Sequence, residues 1–170
     1  MYPQRKPNRF KNYDYSNAGY YYVTICTFQN IPYFGNINSG QVIYNLLGEV
    51  ALRHWKQIPQ HFNNVGLDEY IIMPNHLHGI VKIYDTVGNR LACSVENKRN
   101  IQFLPKLIGG YKAGVTREVK AITNELNFKW QKSYYDHIIR NNYSLQLIRK
   151  YILNNPKRLN GTDESVPYRI

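Results

Sequence analysis

The stretch from Leu67 to Ile83 constrains this chain's fold more than any other. Two runs rich in apolar and β-branched residues, Leu67–Met73 and His76–Ile83, are separated only by the turn pair Pro74-Asn75. So short a connection joins antiparallel strands, because a parallel pairing needs a crossover of about a dozen residues or more. In the second run successive side chains alternate between faces. Leu77, Val81 and Ile83 therefore share a core face, while His76, His78 and Lys82 share the opposite one. Two imidazoles side by side make a metal-ligand geometry that lacks a third ligand. A pair of surface or core histidines would leave the same trace, and the strand alone does not choose.

The remaining elements follow from periodicity and punctuation. Tyr20 to Phe28 (YYYVTICTF) is rich in β-branched and aromatic residues and reads as a first, central strand. Ile31 to Gly40 is turn-rich, with room for a short strand near Phe34–Ile37. A first helix is expected from Asn45 to Gln57, with Leu47, Ala51, His54 and Ile58 as its stripe, Leu46 and Val50 beside them, and Pro59 as its stop. A second is expected over Leu104–Thr123, burying Leu104, Ile108, Tyr111, Val115, Val119 and Ile122 and turning Lys106, Arg117 and Lys120 outward. Gly109, Gly110 and Gly114 each cost such a helix roughly 1 kcal/mol relative to Ala. They imply a close approach to its backbone, or a kink. A fourth strand is predicted over about Ser133–Ile138 and a last helix over Ser144–Asn155, stopped by Pro156 because the residue before proline disfavours the α region.

The order β-α-β-β-α-β followed by a helix is the ferredoxin-like split βαβ arrangement, an α+β fold. It predicts four antiparallel strands with two helices on one face. The histidines then lie on the other face, where the extra helix can dock. Residues 1–170 read as a single domain with a basic arm (1–15), a long loop (85–103) and a polar tail (157–170).

The formal net charge is +11. Residues 1–97 hold 8 Lys and Arg against 6 Asp and Glu, and residues 98–170 hold 14 against 5. That asymmetry points to a polyanion met mainly by the second half. Lys106, Lys112, Arg117, Lys120, Lys132, Arg140 and Lys150 are candidate phosphate contacts, although each alone reads equally well as a solvated charge. No apolar run approaches the roughly 20 residues that span a membrane. No apolar signal segment follows the basic N-terminus, so a cytoplasmic protein is the expectation. Cys26 and Cys93 make no metal or redox spacing and read as free thiols, Cys26 buried. His137 either joins the histidine site or is a hydrogen-bonded core residue, the preferred reading. His54 and His61 have no evident partners. Trp130 reads as core or as a base-stacking platform, and Gln131 as a possible base contact.

On the last helix Leu145, Ile148 and Ile152 form the apolar stripe, and Tyr151 and Asn155 fall on its flank one turn apart. Docking the stripe holds both at the edge of the contact, half exposed. From there the tyrosine hydroxyl can reach a phosphate and the Asn155 carbonyl can complete a coordination begun by the imidazoles. Phenols have a pKa near 10 and are protonated at neutral pH. A metal that polarises the phosphoryl oxygen assists attack. The covalent phosphotyrosine keeps the bond energy, so a strand can be rejoined without ATP. Two imidazoles and an amide oxygen suit Mg²⁺ or Mn²⁺ better than a structural zinc.

These residues resemble the single-tyrosine HUH transposases of bacterial insertion sequences, in particular the REP-associated tyrosine transposases. Arg9–Thr27 resembles the family's entry into its first strand, DEYIIMPNHLHGIV (Asp68–Val81) its histidine strand pair, and WQKSYYDHIIRN (Trp130–Asn141) with IRKYILNNPKR (Ile148–Arg158) its last strand and tyrosine helix. The resemblance implies metal ligands at His76 and His78, the nucleophile at Tyr151 and a third ligand at Asn155, where some relatives carry Gln. It also implies single-stranded DNA beside an imperfect hairpin as substrate, a 5′-phosphotyrosine intermediate, and either monomers or dimers with the tyrosine helix shared between subunits. Three rivals stand beside it. An RRM-type binder would present aromatics where His-Leu-His stands. A water-using metal hydrolase would want carboxylates near the histidines. A host-adopted relative that binds or nicks hairpins without moving itself would look the same in sequence.

Overall fold

The computed structural model describes residues 13–85, 102–123 and 127–158. Most of the arm, the long loop and the polar tail lie outside these residues, as does Cys93.

Four strands form the main sheet: β1 (Gly19–Cys26), β4 (Val65–Met73), β5 (His76–Ile83) and β6 (Tyr135–Ile139), in the spatial order β4-β5-β1-β6. Every neighbouring pair is antiparallel. This is the ferredoxin-like order, with β1 and β5 central as the split βαβ reading requires. The Pro74-Asn75 turn sets β4 and β5 in register, with Met73 opposite His76 and Ile71 opposite His78. A second ribbon of β2 (Gly35–Asn38) and β3 (Gln41–Tyr44) adds a pair of short strands where the sequence suggested at most one. Its turn needs positive φ at Ser39 (51°) and Gly40 (73°), the combination that suits a tight hairpin.

Helices α1 (Leu46–Lys56) and α3 (Phe103–Ile122) cover one face of the sheet. Leu77, Val81 and Ile83 of β5 and Tyr21, Val23 and Ile25 of β1 meet Val50, Ala51, Trp55, Leu104, Leu107, Ile108, Tyr111, Val115 and Val119 there. Asn45 caps α1 by accepting from Gly48 N–H. The stripe of α1 is rotated from the expected one. Trp55 is fully buried, Leu46 is exposed, and His54 instead bonds Glu118 of α3 at 2.7 Å, beside an Arg53–Glu118 contact. Pro59 does not simply end the helix but opens a further turn, α2 (Ile58–His61), where its missing N–H costs nothing.

On α3 the buried stripe is as expected except that Ile122 is exposed and Leu107 buried. Of its glycines only Gly114 has a close neighbour: a Cβ there would lie 2.9 Å from His54 Nδ1, whereas Gly109 and Gly110 face open space. A stronger packing demand sits at Gly79 in β5. A Cβ at that position would lie 2.4 Å from Trp55 Cζ2, so the indole rests where a side chain would be.

The other face of the sheet is covered by α4 (Asn142–Arg158), whose Leu145, Ile148 and Ile152 pack on Ile80 and Ile139. α4 continues through Pro156 rather than stopping before it. The proline falls in the last turn, where losing one N–H donor interrupts only the bond to Ile152, and its ring is buried. No helix among the described residues is long and apolar enough to cross a membrane.

Candidate nucleophile and metal-ligand site

The site lies between β5, β1 and α4. β5 turns His76 and His78 away from the large core, as the alternation requires, and α4 closes over them. The two imidazoles approach edge to face, with Nε2 of His76 3.1 Å from Nε2 of His78. Asn75 Oδ1 accepts from His76 Nδ1–H at 2.6 Å, which leaves His76 Nε2 as a lone pair. His78 Nδ1 lies 2.7 Å from the Tyr22 hydroxyl and 2.9 Å from Thr24 Oγ1, both carried by β1. Thr24 stands directly opposite His78 in the strand register. Tyr22, opposite Ile80, reaches His78 across the diagonal.

Burial sets the charge of the site. It holds His76 down to about 4, and it holds His78 well below the ordinary imidazole value, with the neighbouring His76 adding to the effect. Both imidazoles are neutral at physiological pH, the state in which they bind metal. Burial raises the Tyr22 hydroxyl, so it stays a protonated phenol. Cys26 is half-buried and opposite His76 in register, and burial raises its thiol too.

Tyr151 enters from α4. Its ring lies 5.3 Å from that of His78 and 6.4 Å from that of Tyr22, edge-on to both. The predicted nucleophile therefore packs directly on a predicted ligand within one chain. Asn155 follows one helical turn later and is buried rather than half exposed, at 7% exposure. The donor chemistry fits a divalent ion. Two neutral nitrogens 3.1 Å apart have the spacing of adjacent ligands when metal–nitrogen bonds are about 2.1 Å. Among the described residues no cluster of three or more His, Cys, Asp or Glu forms.

α4 is anchored by an ion pair that the sequence did not suggest. Arg149 Nε donates to Asp68 Oδ1 at 2.7 Å and Nη2 to Oδ2 at 2.6 Å, joining α4 to the edge strand β4. Arg149 chiefly, through these bonds, holds the Asp68 carboxyl below the usual range. An open groove of about 580 Å³ lies along this seam, lined by Leu67, Asp68, Glu69, Gln146, Arg149, Lys150 and Leu153.

The candidate phosphate contacts divide between the two faces. Lys106, Arg117 and Lys120 are exposed on α3, across the sheet from Tyr151. Lys112 donates its ammonium to the carbonyls of Gln131 and Ser133, both at 2.8 Å, and burial pulls it down to about 8. It thereby ties α3 to the segment that enters β6. Lys150 is exposed on α4 beside Tyr151, and Arg140 is exposed at the end of β6. His137 is half-buried and opposite Tyr22 in register. Trp130 packs against the large core and donates to the Lys112 carbonyl at 3.2 Å. Gln131 bonds Asn30 Oδ1.

The fold matches that of a solved REP-associated tyrosine transposase bound to a REP hairpin, with a TM-score of 0.60 at 14% identity, covering 89% of this chain and 73% of that one. No protein-family model matches the chain. In sequence it is 37% identical over 159 residues to an uncharacterised protein of Haemophilus influenzae (strain ATCC 51907 / DSM 11121 / KW20 / Rd), covering 89% of this chain and 88% of the relative. The chain belongs to the family of that Haemophilus influenzae protein.

Proposed function

We propose that this protein is a single-strand DNA transposase or endonuclease that cleaves and rejoins DNA through Tyr151, beside a hairpin. The observation that carries this reading is the packing of the Tyr151 ring on His78, which brings a phenol and a pair of neutral imidazoles together. In the proposed step Tyr151 Oη attacks a backbone phosphorus. A phenol O–P bond forms, the P–O3′ bond breaks, the phenolic proton leaves, and the departing 3′-oxygen takes up a proton. The 5′-phosphate stays on the tyrosine, and a 3′-hydroxyl attacking the same phosphorus reverses the step. His76 and His78, with Asn155, would hold Mg²⁺ or Mn²⁺, whose chemistry there is to polarise a phosphoryl oxygen. The packing of Tyr151 on His78 of the same chain supports a site that acts in cis.

Hairpin DNA is the substrate class favoured by the matched fold, whose solved example holds a REP hairpin. Lys150, exposed on α4 next to Tyr151, and Arg140, exposed just past β6, are the proposed phosphate contacts. The test is a covalent-adduct assay with labelled single-stranded hairpin DNA and Mn²⁺. The wild type should give a denaturation-resistant protein–DNA species, and Tyr151→Phe none. Equal adduct from both proteins overturns Tyr151 as nucleophile. Tight hairpin binding without any adduct would identify a binding protein on the same fold.

A further inference from the structure

We infer that Tyr22 and Thr24 are positioning residues for metal binding, acting through the proton on His78. The inference rests on the reading of His76 and His78 as ligands and adds a part of the site that the histidine motif does not contain.

His76 must carry its proton on Nδ1, because its neighbour there is the Asn75 carbonyl oxygen, which only accepts. Its Nε2 is then a lone pair directed at His78 Nε2, 3.1 Å away. Two lone pairs at that distance repel, so without a metal the proton of neutral His78 sits on Nε2 and is donated to His76. His78 Nδ1 is then an acceptor, and a hydroxyl of Tyr22 or Thr24 donates to it. Binding a cation through both Nε2 atoms requires the opposite tautomer, with the His78 proton on Nδ1. A carbonyl or carboxylate at Nδ1 would enforce that tautomer permanently, whereas an ammonium would forbid it. A hydroxyl both donates and accepts. Tyr22 and Thr24 can therefore satisfy Nδ1 in either state by turning their O–H bonds.

The geometry adds aim to tautomer. Thr24 is fixed opposite His78 by the strand register. The Tyr22 ring stacks on the imidazole at 5.6 Å and 26° and also meets Tyr151 edge-on. One side chain thus touches both the ligand ring and the nucleophile ring. Hydroxyls so placed hold the ring plane, so that Nε2 faces its partner nitrogen.

The test uses the full chain and Mn²⁺ alone, followed by titration calorimetry. Groups that orient a ligand histidine typically change metal affinity by about 10–100-fold when removed. Tyr22→Phe and Thr24→Val should each weaken Mn²⁺ about tenfold, the double variant more, and Thr24→Ser should restore affinity because it keeps the hydroxyl. Thermal melts confirm that each variant is folded. Nitrogen-15 spectra of His78 should report an Nε2-protonated ring without metal and an Nδ1-protonated ring with diamagnetic Mg²⁺. Folded variants that bind Mn²⁺ as tightly as wild type, or a His78 ring protonated on Nδ1 throughout, overturn the inference while leaving the ligand reading intact. A wild-type protein that binds no Mn²⁺ overturns both.

Discussion

Removing the Asp68–Arg149 pair should loosen α4 by a measurable and separable amount. The pair is bidentate, with bonds of 2.7 and 2.6 Å, and the side chains are 16% and 30% exposed for Asp68 and Arg149. Exposed pairs couple by about 0.2–1 kcal/mol, while breaking a fully buried pair costs about 3–5 kcal/mol. Partial burial and two-point geometry place this one between, at about 1–2 kcal/mol of coupling. The measurement is a double-mutant cycle on urea unfolding with Asp68→Asn, Arg149→Gln and the double variant. Its pH dependence has a fixed sign. Arg149 lowers the Asp68 carboxyl in the folded state. The stabilisation is therefore fully present above the ordinary Asp value of about 3.9 and lost as pH falls through the lower folded value. Wild type should lose its advantage over Asp68→Asn in that acid window. Coupling within about 0.3 kcal/mol of zero, with all variants folded, would refute the reasoning, because independent sites add within that margin.

Two further outcomes follow from the packing and the charge map. Gly79→Ala should destabilise by about 1–3 kcal/mol and alter tryptophan fluorescence, since its methyl meets Trp55; an unchanged melt would show that the indole yields freely. Lys150→Gln should lower the salt dependence of hairpin binding by about one released counterion, while Lys112→Met should destabilise the fold without changing that slope; the reverse pattern would move the DNA to the α3 face.

Much of the fold was legible because local patterns and the global arrangement agree. The Pro-Asn turn, the alternation through His76–Ile83 and the apolar stripe of α4 each have one consistent solution. What failed depends on phase or register. The stripe of α1 can be drawn through His54 or through Trp55, and only the fit of the indole over Gly79 decides. Pro156 has the local preference of a stop, which the buried last turn of α4 overrides. The triple tyrosine of β1 was legible as strand, but not as the source of the hydroxyls at His78, because period alone cannot say which residue lies opposite which. Asp68 shows no partner in the local pattern, because Arg149 on α4 lies 81 positions along the chain.

The two faces of the sheet are covered very unequally. The α1–α3 face holds most of the buried side chains, while α4 rests on a small cluster around Ile80, Ile139 and Ile148. Opening free energies follow such differences, so amide exchange in α4 should run through a partial detachment that leaves β1 and β5 protected. On that expectation the histidines would exchange with the core strands and the tyrosine with a helix that opens before them. A strand held on that phenol would be tethered to an arm that can lift from the sheet while the sheet stays folded.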